Sequence, residues 1–165
     1  MTDKSKKKFF SEFYDDHVSK LYRFVYLKVS SKETSQDLTS EVFLRFWEQL
    51  NSPTEIKNPR AFIYQIARNL VIDYYRKKEP QKIQPELIQI KDTKADLKQE
   101  VLLESDIKDI ETALSKIPDE YQNMIIWYYL DEFSVSEIAD ITGKTENNVR
   151  VIIHRALSAL RSILL

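Results

Sequence analysis

Along the first eighty residues, apolar side chains return every three or four positions, the spacing of helices with one buried face. Phe9, Phe10, Phe13, Tyr14, Val18, Leu21, Tyr22, Val25 and Leu27 form the first stripe, and the lysine-rich residues 1–8 ahead of it predict a frayed, solvated tail. A second helix is predicted from about Ser35 to Leu50, with Leu38, Val42, Phe43, Phe46 and Trp47 inward and Asp37, Glu41, Arg45, Glu48 and Gln49 outward. Residues 51–58 read as a polar loop containing Pro53. Asn58 followed by Pro59 reads as an N-cap with proline at the first helical position, launching a long helix to about Lys78. After Pro80 the periodicity fades through 81–96, a stretch with Pro85 and many charges that reads as a linker. A new helical stripe begins near Leu97 with Val101, Leu102, Ile107, Ile110 and Leu114; Pro118 then opens another carrying Tyr121, Met124, Ile125, Tyr128 and Tyr129.

The last segment has the clearest punctuation. Ser134 stands three residues before Glu137, a capping box whose hydroxyl and carboxylate satisfy backbone donors left free at a helix start. Val135, Ile138, Ala139 and Ile141 follow as a short apolar face. Gly143, the single glycine of the 165 residues, stands where a left-handed backbone closes that helix, and Thr145 offers a hydroxyl to cap the next. From there Val149, Ile153, Ala156, Leu157 and Leu160 recur at helical spacing, leaving Asn147, Asn148, Arg150, His154 and Arg155 for the other faces. A second helix with amides and guanidiniums outward suits the reading of a major groove, although an inert helical hairpin shares the pattern.

With one glycine and five prolines the chain has few turns, which predicts an all-α fold. The expected organisation is two small helical domains, 1–80 and 97–165, joined by a flexible linker at 81–96. Charge supports the division: residues 1–80 carry +4, 81–112 carry −3, 113–140 carry −5 and 141–165 carry +3. Positive charge is thus gathered on the presumed recognition helix, as a purely structural hairpin would not require. The net charge of −1 is nonetheless poor for a free-standing DNA binder, whose affinity rests on phosphate neutralisation, so something else should deliver the chain to DNA.

Composition removes several function classes. No cysteine means no disulfide scaffold, thiol nucleophile or thiolate metal site, and two histidines make a zinc site improbable. No apolar run approaches 18 residues and no signal-peptide pattern is present, so a soluble, cytoplasmic protein without membrane insertion is expected. The long helix from Pro59 is chemically asymmetric, with Phe62, Ile63, Ile66, Leu70 and Tyr74 on one side. Toward the other lie Arg60, Tyr64, Gln65, Arg68, Asn69, Asp73, Tyr75 and Arg76, a mixture that can hold a phosphate backbone and stack unpaired bases, or simply face water.

Taken together, these segments resemble the sigma factors of bacterial RNA polymerase, specifically the small two-domain extracytoplasmic-function (ECF) group of the sigma-70 family. QDLTSEVFLRFW at Gln36 to Trp47 resembles the family's second conserved region, and PRAFIYQIARNLVIDYYRK at Pro59 to Lys77 its promoter-melting and −10-reading helix. Ala113 to Leu160 resembles the fourth region with its helix-turn-helix. The resemblance implies a dissociable specificity subunit rather than an enzyme, with no cofactor and no metal. Asp37, Glu41, Arg45 and Glu48 would dock on the clamp of the large subunit of core RNA polymerase. The loop with Asn51, Ser52, Thr54 and Asn58 would capture a flipped −10 base, and Arg60, Arg68, Asn69, Arg76 and Lys77 would hold the DNA around it.

In the second domain Asn147, Asn148, Arg150 and His154 would meet base edges or nearby phosphates of the −35 element, with Lys144 and Arg155 favouring phosphates. The resemblance also implies an anti-sigma factor as partner, and an exposed part of the aromatic run Trp127, Tyr128 and Tyr129 could meet it or the polymerase flap. One departure concerns the recognition helix: Ile152 and Leu157 stand where the family often has extra basic residues, which predicts a thinner positive face and weak autonomous −35 binding. With nothing after Leu165, an appended sensory module is not expected.

Three other classes compete. A polymerase-independent helix-turn-helix regulator, usually a dimer on a palindrome, leaves residues 36–78 unexplained. A nuclease or other hydrolase needs a catalytic cluster, whereas the carboxylates here sit singly on amphipathic faces. A sigma-like decoy that binds polymerase or an anti-sigma factor but not DNA is motivated by the thin recognition helix.

Overall fold

The computed structural model describes residues 2–78 and 101–164, all of whose regular elements are helical. The expected linker at 81–96 and the predicted helix start near Leu97 lie outside the described residues. The first lobe holds α1 (Asp3–Val29), α2 (Lys32–Leu50) and α3 (Pro59–Lys78), packed pairwise. The second holds α4 (Val101–Leu114), α5 (Asp119–Ile125), which runs on into a π-turn at Ile126–Leu130, then α6 (Val135–Thr142) and α7 (Glu146–Leu164).

The expected frayed tail is a correction. Residues from Asp3 onward are helical, because the Thr2 hydroxyl accepts from the Ser5 amide at 3.1 Å and Asp3 places a negative charge in the first turn. Lysines along an exposed face do not oppose helix formation. The second helix likewise begins three residues earlier than expected, at Lys32, with Ser31 as its cap.

Aromatic packing fills the first lobe. The Phe46 ring lies 4.6 Å from Phe13 and 5.9 Å from Phe10, and Trp47 meets Phe10 edge-on at 5.3 Å. Such pairs add about 0.5–1.5 kcal/mol each beyond the area they bury. The core does not stop at the lobe boundary. Phe24 of α1 lies 5.6 Å from Tyr64 of α3 and 5.6 Å from Trp127 of the π-turn, while Phe133, just before α6, meets Tyr64 edge-on at 4.5 Å. All four are buried, and α6 packs on α3.

Polar groups line the same junction. Arg23 donates to the Leu130 carbonyl at 2.8 Å and to the Asp131 carboxylate at 2.6 Å. Lys28, fully buried, donates to Asp119 and to Gln122 at 2.9 Å. Ser30, in the left-handed conformation that closes α1, donates to Glu111 of α4 at 3.0 Å. Burial acts on each ionisable partner: it lowers the Lys28 ammonium against the pull of Asp119, and raises the Asp131 carboxyl against the pull of Arg23. It lifts Glu111 from 4.5 to about 7, with the Ser30 hydroxyl and Lys108 opposing.

Glu111 therefore binds its proton more tightly in the folded chain than in the unfolded one. The fold should weaken as pH rises from about 4.5 to 7, by a loss on the order of 1–3 kcal/mol, with Asp131 acting in the same direction. Glu111→Gln keeps an acceptor for Ser30 without the charge, so its thermal unfolding midpoint should fall less across that window. Equal slopes in the two proteins would remove Glu111 from the account.

Candidate nucleic-acid interface

The helix-turn-helix forms from local chemistry. The Ser134 hydroxyl accepts from the Glu137 amide at 3.0 Å, and the Glu137 carboxylate accepts from the Ser134 amide at 3.0 Å, so the capping box is complete. Gly143 closes α6 at φ 76°, its amide donating to the Ala139 carbonyl at 2.8 Å. Thr145 then caps α7, accepting from the Asn148 amide at 3.1 Å. Ile138, Ile141, Val149, Ile153 and Ala156 are buried between the two helices and α5.

On the outer side of α7, Asn147, Asn148, Arg150, His154 and Arg155 are all exposed. Arg150 is held only by an open contact to Glu146 at 3.4 Å, which costs little to exchange for a phosphate. Lys144 is half-buried and paired with Glu120 at 3.3 Å. The expected thinning of this face by Ile152 needs correction. Ile152 is 5% exposed and belongs to the core, so it removes nothing from the polar surface; Val151, 40% exposed, is the apolar residue that does reach it.

The α3 face is less open than its periodicity predicts. Asn69, Arg76 and Lys77 are exposed, and Arg68 is half-buried. Tyr64 is buried, and Tyr75 donates its hydroxyl to the Lys28 carbonyl at 2.6 Å, so neither ring is an exposed stacking platform. Arg60 is also occupied. Its guanidinium lies 3.8 Å over the Phe133 ring, donates to the Asp131 carbonyl at 3.0 Å and stands 3.4 Å from the Glu137 carboxylate.

In the 51–58 loop several predicted side chains bond locally. Asn51 donates to the Trp47 carbonyl at 2.9 Å and Ser52 to the Gln49 carbonyl at 2.8 Å, finishing α2. Asn58 caps α3, accepting from the Ala61 amide at 3.1 Å, and its amide group lies 3.5 Å from Asp140. Thr54 is exposed at the loop.

On α2, Asp37 and Glu48 are exposed, and Glu41 pairs with Arg45 at 2.9 Å along the helix. Beside them opens a shallow groove of about 470 Å³, lined by Phe10, Tyr14, Ser40, Phe43, Leu44 and Trp47, with Lys7 at its edge. Leu44, 52% exposed, is the residue that periodicity missed: an apolar side chain among the outward positions of α2 was its signal. Among the described residues, no group of three or more histidine or acidic side chains is placed to hold a metal, and no helix is long and apolar enough to cross a membrane.

Comparison with known proteins matches residues 13–80 to "Sigma-70 region 2" and residues 107–160 to "Sigma-70, region 4". "ECF RNA polymerase sigma factor SigM" of Bacillus subtilis is 30% identical over 92% of this chain and 93% of its own length. SigW of the same organism is 28% identical over 92% of this chain and 87% of its own. BldN of Streptomyces coelicolor is 27% identical over 94% of this chain, which spans 60% of that longer relative. Among solved structures, CnrH in complex with the cytosolic domain of CnrY gives a TM-score of 0.71 at 18% identity, covering 96% of this chain and 88% of that one. The sigma factor RpoE in complex with the anti-sigma factor NepR, from Bartonella quintana, gives 0.71 at 20%, covering 95% and 97%. At these identities the structural likeness speaks for the fold alone.

A Cβ at Gly143 would meet nothing within 4 Å, so the cost of adding one is backbone strain alone. Gly143→Ala should lower stability by about 1–2 kcal/mol and Gly143→Asn by less, since asparagine tolerates the left-handed region. Chemical denaturation of the two variants checks this; equal losses would place the cost in packing instead.

Proposed function

The chain belongs to the ECF sigma-70 family of RNA polymerase sigma factors, and on that footing we propose that it binds core polymerase, recognises −10 and −35 promoter elements and melts the −10 region. Binding energy drives the opening and no cofactor takes part. The supporting observation is the exposed polar face of α7, which gathers Asn147, Asn148, Arg150, His154 and Arg155 on one helix behind a fully capped turn. Asparagine to adenine, or arginine to guanine, supplies about 1–3 kcal/mol of discrimination per good contact. Lys144 and Arg155 add phosphate contacts.

On the first lobe, Arg68, Asn69, Arg76 and Lys77 would hold the −10 strand, with Arg60 joining when freed from the second lobe. Thr54 is exposed at the capture loop, whereas the side chains of Asn51, Ser52 and Asn58 are bonded locally. Asp37, Glu41, Arg45 and Glu48 would meet the polymerase clamp, and Leu44 adds an apolar contact at the centre of that charged edge. The domain roles follow: 1–80 for core binding and −10 work, 97–165 for −35 recognition, with 81–96 linking them. A cytoplasmic location and control by an anti-sigma factor accompany this reading, since one of the compared structures is a sigma factor bound to such a partner.

The direct test mixes the purified chain with bacterial core polymerase and sequences the genomic transcripts against a core-only control. New start sites sharing two spaced upstream elements are expected. Core binding without specific initiation would favour the decoy, and no core binding the independent regulator. Arg150→Ala with Arg155→Ala should reduce promoter-directed transcription roughly tenfold or more while core affinity stays unchanged. Replacing Asp37 and Glu41 together should instead weaken core binding, and unchanged affinity in a titration would sink that docking role.

A further inference from the structure

The first two turns of α1 carry Lys4, Lys6, Lys7 and Lys8 against a single acid, Asp3. Lys4, Lys7 and Lys8 are exposed and share one face of the helix, at spacings of three and four. Helix propensity tolerates them, but a helix N-terminus is the positive end of the macrodipole, where cations are disfavoured. Among the described residues no carboxylate pairs with any of the four. Folding therefore gives no reason for their placement.

The packing register fixes where they lie. Phe10 meets Trp47 at 5.3 Å and Tyr14 meets Phe43 at 4.8 Å, so α1 and α2 run antiparallel, a step back along one matching a step forward along the other. On that register Lys7 is level with Leu50, the last residue of α2, and Lys4 stands about one turn beyond, level with the start of the 51–58 loop. Lys7 also edges the groove lined by Leu44 and Trp47, and Lys57 is exposed within the loop itself. One end of the first lobe thus combines a basic helix start with the proposed capture loop.

Charge separates this patch from the polymerase edge. There α2 presents Asp37, Glu41 and Glu48 against Arg45, an acidic edge whose complement is a basic partner surface. Such a surface would repel Lys4, Lys7 and Lys8, so the lysines call for a second, anionic partner. Next to a loop that takes an unpaired base, the anion at hand is the phosphate backbone of the same strand.

We infer that Lys4, Lys7 and Lys8 form a nucleic-acid contact that extends the −10 site along α1, each neutralising a phosphate of the single strand that leaves the capture loop. The inference rests on the assignment of residues 51–58 to DNA. Its contribution is affinity without sequence preference, because an ammonium on a phosphate carries no base information.

The test replaces Lys4, Lys7 and Lys8 together with glutamine in the full chain. A control triple, Lys32→Gln, Lys116→Gln and Arg161→Gln, removes the same charge from exposed positions elsewhere. The probe is a fluorescent oligodeoxythymidine, titrated at several salt concentrations. Against the control, the lysine triple should bind roughly tenfold or more weakly at low salt. Its plot of log affinity against log salt should be shallower by about 2, close to 0.7 for each single-strand phosphate lost. Lys4→Arg, Lys7→Arg and Lys8→Arg together should retain both affinity and slope. The thermal midpoint of the glutamine triple should be no lower than the control's, since the lost cations oppose the α1 dipole. Affinity for core polymerase should also match the control's. An affinity and slope equal to the control's, no measurable binding by the unaltered chain, a midpoint below the control's, or a loss confined to core polymerase would each overturn the inference. Oligodeoxythymidine carries no promoter, so failure of the promoter reading would show separately, in the transcript experiment.

Discussion

Asp131 is the residue on which the arrangement of the two lobes turns. It is fully buried, its carboxylate accepts from Arg23 and its carbonyl from Arg60, so one residue ties α1 and α3 to the second lobe. Its position depends on the π-turn at Ile126–Leu130. The Asp131 amide bonds back five residues to the Ile126 carbonyl at 2.8 Å, which widens the last turn and stops the helix there. Glu132 then adopts φ 57°, a conformation costing about 1–2 kcal/mol outside glycine, and turns the chain so that Phe133 lands beneath Arg60 and against Tyr64. Burial of an aromatic ring recovers more than that strain. A regular α-helical ending would rotate the following residue by about 100° and send Phe133 elsewhere.

Around this point the junction combines two kinds of interaction with different consequences. Phe24, Tyr64, Trp127 and Phe133 supply apolar contact, whereas Arg23, Lys28, Ser30, Glu111, Asp119 and Asp131 supply hydrogen-bonded polar contact. A purely aromatic junction would behave as one permanent core. Buried ion pairs, by contrast, add little net stability, because the desolvation of each charge offsets most of the attraction, and they mainly fix which groups meet. The opposed shifts of Lys28 and Glu111 register that desolvation directly, since burial pushes both toward their neutral forms.

Much of the fold was legible because its signals are local. Ser134 with Glu137, Asn58 with Pro59, and Gly143 with Thr145 each define a helix end through atoms within four residues, and each forms the expected contact. The tail failed for a related reason: Thr2 and Asp3 are a start signal outweighed, in the reading, by the lysines behind them. Tyr64 and Arg60 were placed on an open face because their partners, Phe133, Asp131 and Glu137, stand some seventy residues away, beyond any periodicity. Ile152 shows the limit of the pattern itself. A helix buried against both α5 and α6 needs a stripe wide enough to include it beside Ile153, so apolar character there signals core rather than a missing base.

The same geometry explains why a chain with a recognition helix can carry a net charge of −1. The −5 of residues 113–140 is largely spent inside the molecule, on Arg23, Lys28, Arg60 and Lys144, rather than projected at DNA. What reaches solvent from α7 is a small cationic face, exposed whether or not the lobes are joined. A face with so few cations can neutralise few phosphates, and each one neutralised would contribute only one increment of counterion release. The α3 side offers further cations, but its first arginine is held by acids of the same chain. The cations of the two lobes therefore differ in availability: those of α7 face solvent, whereas Arg60 is engaged by Asp131, Glu137 and the Phe133 ring.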